Sequence, residues 1–416
     1  MKTFTVTNNF SYSAAYSHVS LSEFCDFADH FLCGFSFAPL ILVPRLRPMV
    51  GVSRAAALLA ASSASLSCKL PTAATTSHLT LPLELTAGGV LTTGVFIDGE
   101  PFRVIIDTGS PYLVVPVDDC NTQPPRISVY GCAAPDLFAP APGRAGTSEQ
   151  YGALAGQMQW LRGCVVFGDT ELEQAQDGSL RLQLRFREQG GRAGLVFGGG
   201  DRNVMSQSGG ALLGLIREVN HGPRSTISAS DLRPTVLSQL GLSSYRLNAP
   251  QRTLTLSSAP MIAPPSEADA LPLVDPRLDG DGVEHACCRV DGDELLIDGI
   301  VRRARRPILC VFDSGLSGLV LSQSLVDELG LADRVTAAAG RRVRSVQLGL
   351  LTERGRRVEL RSGVDASALF YTQAIPLNWF VDSLNGPHVV AVGQCVLGRG
   401  TLTVDSVTRR ATWEPA

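Results

Sequence analysis

Charge is scarce in this sequence. Only 18% of the 416 residues are Asp, Glu, Lys or Arg, and the formal net charge is −3. So even a balance provides no field to draw a nucleic acid or a membrane surface. Histidine is scarcer still, with six scattered copies, and neither an H-E-x-x-H zinc helix nor a G-x-S-x-G nucleophile elbow occurs. Gly198-Gly199-Gly200 lacks the Lys-Ser/Thr and the helix of a phosphate cradle, so it is read as a turn between strands. The apolar run from Phe35 to Val43 is broken by Pro39 and is too short to span a bilayer. Sustained helical periodicity is also rare. What the chain has instead is 41 glycines, 25 prolines and 44% hydrophobic residues. That composition points to strands and turns around two sizeable cores.

Two stretches organise the rest. Ile105-Ile106-Asp107-Thr108-Gly109-Ser110 and Val311-Phe312-Asp313-Ser314-Gly315 each end an apolar strand in an aspartate, a hydroxyl residue and a glycine. The strand buries itself and carries the carboxylate at its end. Glycine lets the backbone turn and its N–H approach the carboxylate with no Cβ in the way. The hydroxyl fixes the loop with a short hydrogen bond. One copy reads equally well as a strand followed by an Asx-type turn; two copies 206 residues apart do not.

Together these residues make the chain resemble the pepsin-like aspartic proteases, in which each of two lobes contributes one aspartate. Ser110-Pro111-Tyr112-Leu113-Val114-Val115-Pro116 is similar to the family's continuation after the first motif. Tyr151-Gly152 falls where the family's substrate-binding flap is expected. Ala211-Leu212-Leu213-Gly214 resembles the apolar-apolar-glycine strand of the first lobe, and Val396-Leu397-Gly398 resembles its twin. The resemblance implies an all-β, bilobal fold with a few short helices and a cleft between the lobes. It implies that Asp107 and Asp313 are catalytic, that Thr108, Gly109, Ser110, Ser314 and Gly315 support them, and that neither metal nor cofactor is needed. The expected partner is a polypeptide substrate, cut by a monomer without nucleic acid and without a stable membrane span in the mature chain. Cys120 stands where the family often begins a small disulfide loop, and Cys132 is its expected partner; two free thiols would need a reducing compartment.

The expected organisation is a leader over residues 1–67, a first lobe over 78–257, a linker over 258–270 and a second lobe over 271–416. Met49, Arg54 and the apolar run Ala55 to Ala64 read as a secretory signal. The expected destination is extracellular or vacuolar and lysosome-like. The alternative is a plastid reached through a bipartite leader, because Gly34 to Pro39 resembles a plastid-targeting cleavage motif; an over-extended gene model would also explain the segment. Cys68 to Ser77, with Lys69 alone as a cation, is too short to cross a cleft, so no inhibitory propeptide is expected.

Local patterns add detail. Asp98-Gly99 predicts a hairpin turn leading to Asp107, and Asp291-Gly292 and Asp298-Gly299 read as hairpin turns of the second lobe. Ala133 to Gly146 reads as a flexible approach to the flap. Helices are expected over Asp231–Leu240 and over Ser322–Leu329, the latter capped by Ser322 and ended at Gly330. Arg302 to Arg306 reads as a solvated hairpin tip, and Arg341 to Arg361 as an edge blunted by charge.

Three departures from the family pattern stand out. Val114 replaces an aromatic that would bond the flap tyrosine, a place Trp160 could fill. Leu316 replaces a hydroxyl near Asp313, which should raise that carboxyl's pKa. Arg399 follows Gly398 where an acid is usual, so the helix there should be trimmed. These leave two alternatives to catalysis: a pepsin-fold protein that binds peptides or inhibits enzymes, and a structural or carbohydrate-binding β protein.

Overall fold

The computed structural model describes residues 78–86, 88–117, 130–134, 136–142, 146–151, 154–174, 180–185, 193–200, 210–218, 234–274, 283–332, 343, 345–362 and 386–416. The chain divides into two compact units, Met1–Leu66 and Ser67–Ala416, and every described residue falls in the second. The expected leader, the Cys68–Ser77 interval, Cys120 and Gly152 lie outside the described residues.

The first half holds β1 (His78–Pro82), β2 (Glu84–Leu85), β3 (Leu91–Ile97), β4 (Glu100–Asp107), β5 (Leu113–Pro116), β6 (Ala139–Pro140) and β7 (Thr147–Tyr151). It continues with β8 (Leu154–Gln174), β9 (Leu180–Arg185), β10 (Ala193–Gly200), β11 (Ala211–Gly214), β12 (Arg217–Glu218), helix α1 (Val236–Gln239), β13 (Ser244–Asn248) and β14 (Thr253–Ser257). The second half holds β15 (Leu271–Pro272), β16 (Val283–Glu284), β17 (Cys287–Ile297), β18 (Ile300–Arg303), β19 (Ile308–Phe312), β20 (Leu319–Leu321) and helix α2 (Gln323–Glu328). It ends with β21 (Val346–Leu351), β22 (Arg357–Arg361), β23 (His388–Val392), helix α3 (Gln394–Leu397), β24 (Gly400–Asp405) and β25 (Arg410–Pro415). The protein is therefore mainly β, with three short helices among the described residues. None of those helices is long and apolar enough to cross a membrane.

A strand arrangement occurs twice. β4 ends in Asp107, β11 runs parallel beside it with Gly214 opposite Asp107, and β5 returns antiparallel to β11. β19 leads into Asp313, β23 runs parallel beside it with Val392 opposite Phe312, and β20 returns antiparallel to β23. Such central strands are buried on both faces, so they read as unbroken apolar runs. Ile106 and Phe312 face the main core. Ile105 turns to a cluster with Tyr112, Val114 and Trp160, and Val311 to one with Cys287, Leu309 and Val389. A third sheet, in the order β1-β14-β13-β24-β25-β15, interleaves strands from both halves of the chain.

The glycine that matches Gly214 is Gly393, which corrects the expectation for Val396-Leu397-Gly398. Gly214 donates its N–H to the Tyr112 carbonyl at 2.9 Å, and Gly393 donates to the Gly318 carbonyl at 2.9 Å. A Cβ on Gly214 would lie 2.4 Å from the Ser110 oxygen; one on Gly393 would lie 2.4 Å from the Leu316 oxygen. Val396-Leu397 belongs to α3, and only Ala391-Val392-Gly393 is in register with β19. The four-residue α3 precedes Gly398 and β24 starts at Gly400, so no trimmed helix follows Arg399, and the residue after the matching glycine is Gln394.

Several local expectations hold. Asp98 and Gly99 turn with φ 51° and 95°, and Asp298 and Gly299 with 51° and 78°, the positive angles of tight hairpins. α2 starts after Ser322 and ends before Gly330, at φ +62°, but the Ser322 hydroxyl does not cap it and instead accepts from the Val389 N–H at 3.1 Å. β22 is an outer strand of its sheet among the described residues, with Arg357, Glu359 and Arg361 exposed.

Others are corrected. Asp291-Gly292 is a bulge inside β17, where the pairing register shifts between Val290 and Leu295. Gly198-Gly199-Gly200 ends strand β10 and pairs with both β5 and β8. The Met158 side chain fills the space that glycine leaves, its Sδ lying 2.2 Å from where a Cβ at 198 would stand. Among the described residues α1 is only Val236–Gln239, because Thr235 takes an extended backbone and caps it by accepting from the Ser238 N–H; 231–233 lie outside the described residues. Arg302 and Arg303 lie in β18, and Arg306 is part-buried against His388, so that cluster is not a hairpin tip. The stretch from Ala133 to Gly146 is anchored by β6, by a bridge from Ala133 to Val117 and by buried Phe138.

The paired glycines generate a test. Gly214→Ala and Gly393→Ala should each lower the unfolding free energy by about 1–3 kcal/mol or more, because the clashing atoms are backbone and cannot rotate away. Urea titration of each variant measures this, and near-wild-type midpoints would contradict the close approach.

Candidate functional site

The two Asp-hydroxyl-Gly loops meet. Thr108 donates its N–H to Ser314 Oγ at 3.1 Å, and Ser314 donates its N–H to Thr108 Oγ1 at 2.8 Å. Each hydroxyl then donates onward: Thr108 Oγ1 to the Phe312 carbonyl at 2.8 Å, Ser314 Oγ to the Ile106 carbonyl at 2.6 Å. Each loop thus grips the strand end that carries the other's aspartate. All four bonds are buried, where losing a partner costs about 1–3 kcal/mol.

This interlock brings the carboxyls together. A Cβ on Gly109 would sit 2.6 Å from Asp313 Cγ, and one on Gly315 would sit 2.8 Å from Asp107 Cγ. Each aspartate therefore occupies the space left by the other motif's glycine. The Asp313 carboxyl is hydrogen-bonded to that of Asp107.

Their surroundings are unequal. Asp107 is buried and accepts from the Gly109 N–H at 2.8 Å and from Ser110 Oγ at 2.5 Å. Asp313 accepts from the Gly315 N–H at 3.0 Å, and Leu316, at the place matching Ser110, brings no hydroxyl. Burial holds the Asp313 carboxyl well above its ordinary 3.8, and the charge and hydrogen bond of Asp107 push it the same way. The N–H groups of Gly315 and Leu316 oppose this without reversing it. Burial beside a second carboxyl thus makes Asp313 the partner that holds its proton more tightly than an ordinary aspartic acid. The sequence anticipated the direction at Asp313; burial is its largest cause.

Every support residue expected at the pair is in place: Thr108 and Ser314 in the interlock, Gly109, Ser110 and Gly315 at the carboxyls. Tyr151 ends β7, opposite Leu154 of β8. Val114, Gly198 and Trp160 form one row across β5, β10 and β8, so the side-chain-free glycine separates valine from indole. Trp160 packs edge-on to Tyr112 with ring centroids 5.0 Å apart and donates Nε1–H to Thr147 Oγ1 at 3.0 Å. That bond fastens the base of the β7–β8 hairpin. Cys132 is disulfide-bonded, while Cys120 lies outside the described residues.

Gln394 is a residue that sequence reasoning missed. Its amide donates to the Ser314 carbonyl at 3.0 Å, and its N–H to the Leu316 carbonyl at 2.7 Å. The signal was the glutamine directly after Val392-Gly393, overlooked because the matching glycine was sought five residues later. Cys287, Cys288 and Cys310 are buried thiols on β17 and β19. Burial pushes the Cys288 thiol up to about 12, which leaves it a poor nucleophile. Among the described residues no three or more His, Cys, Asp or Glu side chains are grouped to hold a metal.

No family model matches the chain, and no curated protein matches it.

The raised Asp313 carboxyl fixes a sign. Its folded pKa exceeds the unfolded one, so its contribution to stability is present at low pH and is lost as pH rises above about 3.8. Asp313→Asn should therefore melt at a higher temperature than the wild type at pH 7, with the gap closing toward pH 4. Parallel melting temperatures across that range would contradict the assignment.

Proposed function

We propose that this protein is an aspartic-type endopeptidase, resembling the pepsin-like proteases, with Asp107 and Asp313 as its catalytic pair. The observation that carries the reading is the mutual seating of each carboxyl over the other motif's glycine. Chemically, a water held by the pair is the nucleophile. Ionised Asp107 accepts a proton from that water as its oxygen attacks the peptide carbonyl. Protonated Asp313 hydrogen-bonds the carbonyl oxygen, and a proton from the pair then reaches the departing amine. The pair suits this work because two touching carboxyls cannot both ionise, so one proton is always available to give.

The finer architecture belongs to the same proposal: a lobe over 78–257 and a lobe over 271–416, joined through 258–270. The repeated strand arrangement supports it. The joining segment is held firmly on the second half: Arg410 donates to the Ala268 carbonyl at 2.7 Å and pairs with Glu353 at 2.8 Å, and Asp269 accepts from Thr352 at 2.7 Å. Secretion is supported by the disulfide at Cys132, and pairing with Cys120 is proposed with it.

A second reading, a peptide-binding protein that does not cut, is favoured by Leu316. Incubation of the full chain with unfolded protein from acid to neutral pH, with and without a pepstatin-type transition-state mimic, separates the two. Cleavage blocked by the mimic is expected; binding of the mimic without cleavage would favour the second reading. Asp107→Asn and Asp313→Asn should each reduce cleavage by about 10²–10⁴-fold with the fold intact. Near-normal cleavage by either variant would overturn the assignment.

A further inference from the structure

The sheet that carries Asp313 is fastened at its opposite end by side chains that the aspartate pair does not use. His388 opens β23 and is wholly buried. Its Nε2 lies 2.8 Å from Glu328 Oε2, at the end of α2. Its Nδ1 lies 2.9 Å from Ser324 Oγ, one turn earlier on that helix, and 3.1 Å from Arg306 Nη2. Arg306 also donates to the Gly386 carbonyl at 3.1 Å, and the Arg305 N–H donates to Glu328 Oε1.

The chemistry of these partners fixes the state of the ring. A guanidinium only donates, so Nδ1 accepts from Arg306, and the ring proton sits on Nε2, donated to Glu328. The neutral imidazole thus accepts at Nδ1 and donates from Nε2, matching Arg306 and Glu328. A second proton would put an N–H on Nδ1, facing the Arg306 N–H and adding a cation beside a cation.

Other charges face the ring as well. Glu328 and Asp293 favour the protonated form, Asp293 from β17, where it accepts the Ile308 N–H at 2.9 Å and pairs with Arg289 at 3.3 Å. Burial and Arg306 oppose it, burial most strongly, and together they hold the ring below its ordinary 6.5.

The cluster also has a path to the aspartate. His388 N–H bonds the Pro307 carbonyl at 2.8 Å, at the start of the β19–β23 pair. At the other end of that pair the Asp313 N–H bonds the Val392 carbonyl at 3.0 Å. α2, which supplies Ser324 and Glu328, follows β20, the strand leaving the Asp313 loop.

We propose that His388 is a positioning residue for the Asp313 loop: an acid-released clasp that binds Arg306 and α2 to the start of β23. Its effect on peptide cleavage rests on the reading of Asp107 and Asp313 given above; its effect on structure does not. With a folded pKa below the unfolded one, the clasp contributes fully above pH 6.5 and is lost as pH falls below that value. It would set the acid limit within which Asp313 is held in place.

The test uses the full chain and three readouts. Imidazole nitrogen NMR from pH 4 to 8 should find His388 as the Nε2–H tautomer with a midpoint below 6.5. The melting temperature of the wild type should fall more steeply below pH 6.5 than that of His388→Gln, whose amide can donate to Glu328 and whose carbonyl can accept from Arg306 without titrating. The acid limb of peptide cleavage should move to lower pH in that variant. A midpoint at or above 6.5, an Nδ1–H tautomer, or parallel melting curves would overturn the clasp. If His388→Gln fails to fold, the wild-type NMR titration still decides. If the NMR and melting results hold while neither protein cleaves peptide, the clasp stands and the peptidase reading falls.

Discussion

Four hydrogen bonds made by Thr108 and Ser314 are the constraint on which the rest depends. Two hydroxyls, each accepting an N–H and donating to a carbonyl, join loops 206 residues apart without any charge. Because each hydroxyl bonds the backbone on both sides of the opposing aspartate, the carboxyls have no freedom to separate. Their mutual repulsion is then borne by the fold, and it is relieved by sharing a proton. The site is thereby built from backbone geometry first and from acidity second.

The asymmetry within this near-twofold arrangement gives it a direction. Ser110 adds a hydroxyl donor to Asp107, Leu316 offers Asp313 only its backbone N–H, and burial holds the Asp313 carboxyl well above its ordinary range. A symmetric pair would leave the proton undecided. Gln394 strengthens one side further by holding the Ser314 carbonyl, at the expense of its own Oε1, which is buried without a partner.

The predominantly β character, the hairpin before Asp107 and the helix after Ser322 were legible in the sequence, because each depends on local chemistry: positive φ at Asp-Gly, a serine before apolar helical spacing, apolar runs for central strands. The meeting of the loops was legible only through the doubled motif. What escaped was decided by distant partners. Gly198 to Gly200 has the composition of a turn, but Met158 and Leu161 need that space above a strand. Gly393 and Gly398 both follow two apolar residues, and only pairing with β19 distinguishes them. Arg306 looked like one of several solvated arginines until His388, 82 residues further on, provided its acceptor.

The central claim is that Asp107 and Asp313 touch and share a proton. Carboxyl carbon-13 NMR of Asp-labelled protein, titrated from pH 2 to 8, tests this most directly. The account predicts two coupled steps, with the Asp313 carbon changing well above the ordinary carboxyl range and its midpoint falling when Asp107 is replaced by Asn. Independent titration of both carbons in the ordinary range would contradict it.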